Sequence, residues 1–227
     1  KGRILMNKKL IVKIIIDIGM TVCLLLLMPY SLLSETIHEW LGIAMFVLFV
    51  IHHILNRKWM AAIFKGRYTP FRRVQTGLVL LMLGLMLGSM VSGILLSNYI
   101  FKMVRIVAIS MQAAKVHMFC AYWGLVVMSL HLGLHWNMVV TMTGRLFEQP
   151  STVRAWVARA IAGVLAGYGI YACKKRWIVR YLFMKVHFVF YDYSEKVVFF
   201  ILDYIAVMAL LAFIAYYVGK LLRKIPV

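Results

Sequence analysis

Acidic residues and cysteines are both scarce in this chain. Only 7 Asp and Glu stand against 26 Lys and Arg, and there are 3 cysteines in 227 residues. Cys23, Cys120 and Cys173 all lie within apolar runs and form no CxxC pair, which excludes a disulfide framework and an iron-sulfur cysteine set. No CxxCH motif is present, so covalent attachment of a c-type haem is excluded as well. A GxGxxG nucleotide fingerprint is also missing. The i, i+4 pair His131 and His135 encloses Leu132-Gly133-Leu134 and no HExxH glutamate, which removes the usual zinc protease.

What the chain has instead is apolar length. Hydrophobic residues make up 64% and the mean hydropathy is +0.89, beyond the range of soluble domains and expected of an integral membrane protein. A net charge of +19 can signal nucleic-acid binding. Here the cations cluster between apolar runs, which fits membrane topology and argues against a nucleic-acid partner. The basic stretch Lys1 to Lys13 leads into an apolar run longer than a signal-peptide core, without a small-x-small cleavage site, and reads as a retained first span.

The expected fold is an all-α integral membrane protein with about six transmembrane helices; five and seven are the alternatives. Spans are expected at Ile14 to Leu33, Ile37 to Leu55, Gly77 to Ser97, Val116 to Val139, Val153 to Cys173 and Val197 to Gly219. The fifth carries Arg159 and the sixth Asp203. Pro29 and Ser31 mark the far end of the first. Between spans five and six, the aromatic and basic segment Trp177 to Tyr193 is expected to lie as a helix in the interface. Residues 1–140 would form a four-helix core of two related hairpins. Residues 141–227 would add the last helices, with an interfacial segment near 174–193. A cytoplasmic N-terminus places 17 of the 26 cations inside and nine outside. That predicts a multi-pass membrane protein with its N-terminus in the cytoplasm, and the basic 174–185 segment is its poorest fit.

Two histidine pairs share one spacing. His38 and His52 are fourteen residues apart, and so are His117 and His131. Fourteen helical steps fall about 40° short of four turns and climb roughly 21 Å. Each pair therefore shares a helix face near opposite membrane surfaces. The second and fourth spans run in the same direction, so His38 meets His117 at the outer level and His52 meets His131 at the inner one. Two stacked bis-histidine sites of this kind suit two b-type haems, each needing a neutral imidazole on either face of the iron. Polar helix contact is the plain alternative for any single membrane histidine.

Supporting residues are less specific. His53 is the alternative to His52, at an offset of about 60° from His38. His135 is expected to act behind a ligand or on a haem propionate, or simply as a polar group beside Trp136. Arg105, Lys102 and Lys115 outside, and Asn56, Arg57 and Lys58 inside, are candidate propionate partners. Gly42, Gly84, Gly88 and Gly124 could give a macrocycle room. Glu35, Glu39 and Asp17 are candidate proton acceptors from a quinol, while the first two also suit a helix start.

The motifs His38-Glu39-Trp40-Leu41-Gly42, His52 through Asn56 with Trp59, His117, and His131-Leu132-Gly133-Leu134-His135-Trp136 resemble the flavinylation-associated cytochrome family. These prokaryotic di-haem proteins are similar in plan to cytochrome b and ferric reductase membrane domains. The likeness covers roughly residues 10 to 140. It implies an electron-transfer subunit rather than a standalone enzyme, moving electrons across the membrane between a quinone or redox subunit and a partner redox protein, flavin-bearing or iron-sulfur. The segment 174–185 would suit docking of an acidic partner. The competing readings are a histidine-lined metal-ion transporter, for which only Asp17 and Asp203 offer acidic ligands along the spans, and a noncatalytic assembly subunit.

Overall fold

A computed structural model describes residues 8–144, 149 and 151–226. The start of the basic N-terminal stretch, through residue 7, and Arg145 lie outside the described residues. Six helices are long and apolar enough to cross a membrane: α1 (Lys8–Leu27), α2 (Glu35–Leu55), α3 (Pro70–Leu96), α4 (Ser110–Gly144), α5 (Thr152–Lys175) and α6 (Val197–Leu222). The described residues include no strand.

Local chemistry sets most boundaries. Proline has no N–H to give a helix, and α1 stops two residues before Pro29, after which Tyr30–Leu33 makes one further turn. Ser34 then caps α2 by accepting from the Ile37 N–H at 3.3 Å. Thr69 caps α3 by accepting from the Arg72 N–H at 3.2 Å, with Pro70 in the first turn where its missing donor costs nothing. Ser151 does the same for α5. The first span is thus broken where an unbroken run to Leu33 is expected, and α3 and α4 outrun their apolar cores because polar turns at their ends stay helical.

Packing divides the molecule unevenly. Consecutive helices α1 and α2 form one close pair and α3 and α4 another, while α6 lies against both α4 and α5. Small residues permit the second set of contacts. A Cβ on Gly133 would lie 2.7 Å from the Ala212 Cα, and one on Gly169 would lie 2.8 Å from the Leu210 Cβ. Glycine is the residue that lets membrane helices approach so closely. By contrast, the α1–α2 hairpin meets the rest through thin contacts with α3 and α6, and the backbones of α2 and α4 barely approach one another. Side chains such as Met45, Phe49, Met118 and Tyr122 occupy the interior between them.

The segment after α5 is mostly not helical. Only Ile178–Leu182 forms a turn of helix, and the chain from Phe183 to Lys196 folds back over the bundle. In place of the expected interfacial helix, the chain bends so that Tyr181 and Tyr191 pack inward while Phe183, Phe188 and Tyr193 stay exposed. Tyr181 is buried against Tyr122 with ring centres 4.7 Å apart, the Tyr191 hydroxyl donates to the Met28 carbonyl at 2.8 Å, and the Trp123 indole donates to the Leu182 carbonyl. Two of the cations that fitted topology poorly also turn inward. Lys175 and Arg176 both pair with Glu195 and with the buried Asp203, at 2.6 to 3.2 Å. Lys174, Arg180 and Lys185 remain on the surface.

Candidate functional site

The two histidine levels have the same internal logic. At the first, the rings of His38 on α2 and His117 on α4 lie 6.0 Å apart, centre to centre, with planes at 70°. His117 is anchored: its Nδ1 is 3.0 Å from the Ser89 carbonyl on α3 and 3.2 Å from the Ser92 hydroxyl. Because the Ser92 hydroxyl donates to the Gly88 carbonyl at 2.6 Å, the carbonyl of Ser89 is the natural acceptor for a His117 Nδ1–H. That tautomer leaves Nε2 with its lone pair. Gly93 makes room for the ring, since a Cβ there would stand 3.3 Å from His117 Cε1. His38 is held differently, by the Leu27 backbone. Its Nδ1 is buried and has no hydrogen-bond partner, and Tyr30 meets the ring edge-on at 5.6 Å.

At the second level His52 is the anchored member. Its Nδ1 lies 2.7 Å from Asp17 Oδ1 on α1, an arrangement that fixes one tautomer and raises the basicity of the other nitrogen. Asn56, one turn on, donates to the His52 carbonyl at 2.9 Å and accepts from the Lys13 ammonium at 2.8 Å. Its amide nitrogen is 3.4 Å from His52 Nε2. His131 on α4 is the unanchored member, with a buried and unpartnered Nδ1. It stands within electrostatic reach of both His52 and Asp17. His53 points elsewhere: its Nδ1–H donates to the Phe49 carbonyl of its own helix at 2.8 Å, and its ring packs on Phe49.

His135 sits beside His131, ring centres 4.7 Å apart, and its Nε2 is 3.1 Å from the Gln75 amide on α3. Arg105 is exposed on the loop at the His38 end and donates to the Asn98 side chain. Lys102, Lys115, Arg57 and Lys58 are likewise exposed. Glu39 has a structural duty: its carboxylate accepts from the Ser97 hydroxyl and from the N–H groups of Asn98, Tyr99 and Ile100, clasping that loop onto α2.

The four glycines read as room for a macrocycle separate on inspection. Gly124 lies seven residues from both His117 and His131 on α4; it is buried, yet a Cβ there would meet nothing within 4 Å. Gly42 is open in the same sense and half-buried, whereas Gly84 is exposed. Gly88 serves helix packing, because a Cβ would sit 2.7 Å from the Cys120 Sγ.

Asp17, Ser89, Gln75 and Lys13 join the site although the spacing of histidines says nothing about them. The run Gly88-Ser89-Met90-Val91-Ser92-Gly93, small and polar inside an apolar span, was the available signal on α3. Among the described residues no three or more His, Cys, Asp or Glu converge as a metal-ion site. Two cavities lie in the C-terminal half, lined by none of the seven histidines. Comparison with family models, curated proteins and solved structures finds no match for this chain.

Proposed function

We propose that this chain is a membrane electron carrier holding two b-type haems, one between His38 and His117 and one between His52 and His131. The observation that carries the reading is the 6.0 Å separation of the His38 and His117 rings. Two imidazoles on opposite faces of one metal, with bonds of about 2 Å, have ring centres roughly 6 Å apart.

Both levels also fit the group chemically. Each offers one imidazole oriented through Nδ1, by Ser89 or Asp17, and one with a buried unpartnered nitrogen, on His38 or His131. An unpartnered buried polar atom costs about 1–3 kcal/mol, and ligation through that nitrogen would remove the cost. The open space at buried Gly124 lies midway between the levels, and the methionines around it can rearrange at low cost. Bound haem supplies one-electron chemistry at iron. The protein's part is to fix the imidazoles, exclude water and set the field, with Asp17 the acidic group beside His52 among the described residues.

Electrons would enter and leave through a quinone or through redox subunits, flavin-bearing or iron-sulfur, with the chain as one subunit of a larger complex. We place the chain in a prokaryotic cytoplasmic membrane with its N-terminus inside, and its likeness to flavinylation-associated cytochromes accords with that role. A metal-ion transporter gains no support from a bundle without a converging donor set among its described residues. Reduced-minus-oxidised spectra with a haemochrome assay on purified protein test the proposal. Two haems b per chain are expected, and a colourless preparation from haem-replete cells would refute it.

A further inference from the structure

The bend after α5 encloses a second kind of site. A cavity of about 380 Å³, within the usual range of roughly 300–1,000 Å³ for small-molecule sites, lies between this bend and α6 at the His38 end. Trp177, Phe190, Tyr191 and Phe200 supply aromatic walls, and Arg176 and Glu195 a polar edge. We propose that this cavity binds the headgroup of a lipid-soluble hydroquinone, with Glu195 accepting a phenolic O–H. The physiological purpose rests on the electron-carrier reading, whereas the binding itself does not.

Charge decides against an anionic ligand. Lys175 and Arg176, the cations that line it, are met by Glu195 and Asp203, so two cations face two carboxylates and a phosphate inside would meet no net positive charge. One unmet acceptor then favours the reduced ring, while the Tyr181 O–H and the Arg176 Nη1 remain donors that either oxidation state can use. Tyr191 donates to the Met28 carbonyl, Tyr204 is paired with the Tyr122 hydroxyl at 3.3 Å, and the Tyr181 hydroxyl accepts from the Phe190 N–H. Arg176 spends its Nε and Nη2 on the carboxylates. Glu195 Oε2 is left buried and without a partner. A carboxylate oxygen can only accept, so the ligand that satisfies it must donate a hydroxyl, as the reduced ring does and the oxidised ring cannot.

Two further observations favour this place. Trp177 holds a left-handed backbone (φ 51°, ψ 29°), costly for so bulky a residue, and is kept there by Phe190 at 5.3 Å and by Arg180 stacked on its ring at 4.3 Å. Tyr191 on the cavity wall touches Tyr30 at 5.7 Å between ring centres, and Tyr30 touches His38 at 5.6 Å. The exposed rings of Phe183, Phe188 and Tyr193 on the same segment suit the headgroup level of a bilayer, from which a lipid-soluble ligand would enter.

The test uses the purified full chain in detergent, with equilibrium dialysis of duroquinol under anaerobic dithionite and of duroquinone in air. One duroquinol per chain is expected, bound at least about tenfold more tightly than the quinone, a gap equal to one step of about 1.4 kcal/mol. Val189→Trp, which fills the cavity, should weaken both at least tenfold. Glu195→Gln, which adds an N–H donor, should abolish the preference for the reduced form. Unchanged binding in a folded V189W protein, an unchanged preference in a folded E195Q protein, or displacement by phosphatidylglycerol micelles would each overturn the inference; if one variant does not fold, the other decides. Haem content measured on the same samples separates the two proposals. Quinol binding without haem sinks only the electron-carrier reading, and two haems without quinol binding sink only this one.

Discussion

Asp17 gives the sharpest handle on the His52 level, and Asp17→Asn is the variant to make. The substitution keeps the side-chain volume and removes the negative charge 2.7 Å from His52 Nδ1. Groups that orient a metal-bound imidazole typically contribute about 10–100-fold in affinity or tuning. The pair is only half-buried, the two side chains being 29% and 47% exposed, so solvent screening favours the lower end of that range. A tenfold effect is about 1.4 kcal/mol, or about 59 mV for a one-electron couple. Because the carboxylate favours the more positive ferric ion, its loss should raise the midpoint potential of the haem proposed between His52 and His131 by about 60 mV. The other potential should not move, since roughly 21 Å of helix separates the levels. A redox titration of isolated membranes resolves the two components, with haemochrome stoichiometry as the control for occupancy. Equal displacement of both potentials, or of neither, would refute the assignment of Asp17 to one level.

Glycine variants separate space from packing: Gly124→Leu should lose haem while leaving the thermal midpoint of the haem-free protein little changed, whereas Gly133→Ala should cost about 1–3 kcal/mol of stability by pushing α4 off Ala212, as thermal melts with haem quantitation would show. Glu39→Gln should loosen the Ser97–Phe101 loop, seen as faster amide hydrogen exchange there, with a local cost of about 1.5–3 kcal/mol from weakened charge-assisted bonds. The hydrogen bond from the Arg176 guanidinium, assisted by Lys175, holds the Glu195 carboxyl below its ordinary range. A carboxyl so depressed adds stability that is complete above the unfolded-chain value of about 4.3 and is lost as pH falls through the lower folded value. Thermal midpoints should therefore drop on acidification below about pH 4, and less steeply in Glu195→Gln.

Six spans were legible because hydropathy over some twenty residues needs no tertiary knowledge. The equal histidine spacing was legible for the same reason, being a property of single helices. Contacts between distant helices were not. Asp17 looked like a mid-span acid suited to proton uptake until α1 folded beside His52, and Glu39 looked equally suited until the Ser97–Ile100 backbone came down upon it. Residues 177–193 misled for a different cause. Their mixture of Trp, Phe, Tyr and cations matches an interfacial helix in composition, yet Tyr181 and Tyr191 fold inward and Arg176 is drawn to Asp203, a carboxylate 27 residues further along the chain.

The thin seating of the α1–α2 hairpin bears on how such a protein is made and kept. Half of each histidine pair resides on a unit that few direct contacts retain, so a newly inserted chain would have its two parts free to drift until a prosthetic group bridges them. On the proposed haem-carrying reading, porphyrin supply would then govern how firmly the amino-terminal hairpin is held to the later helices.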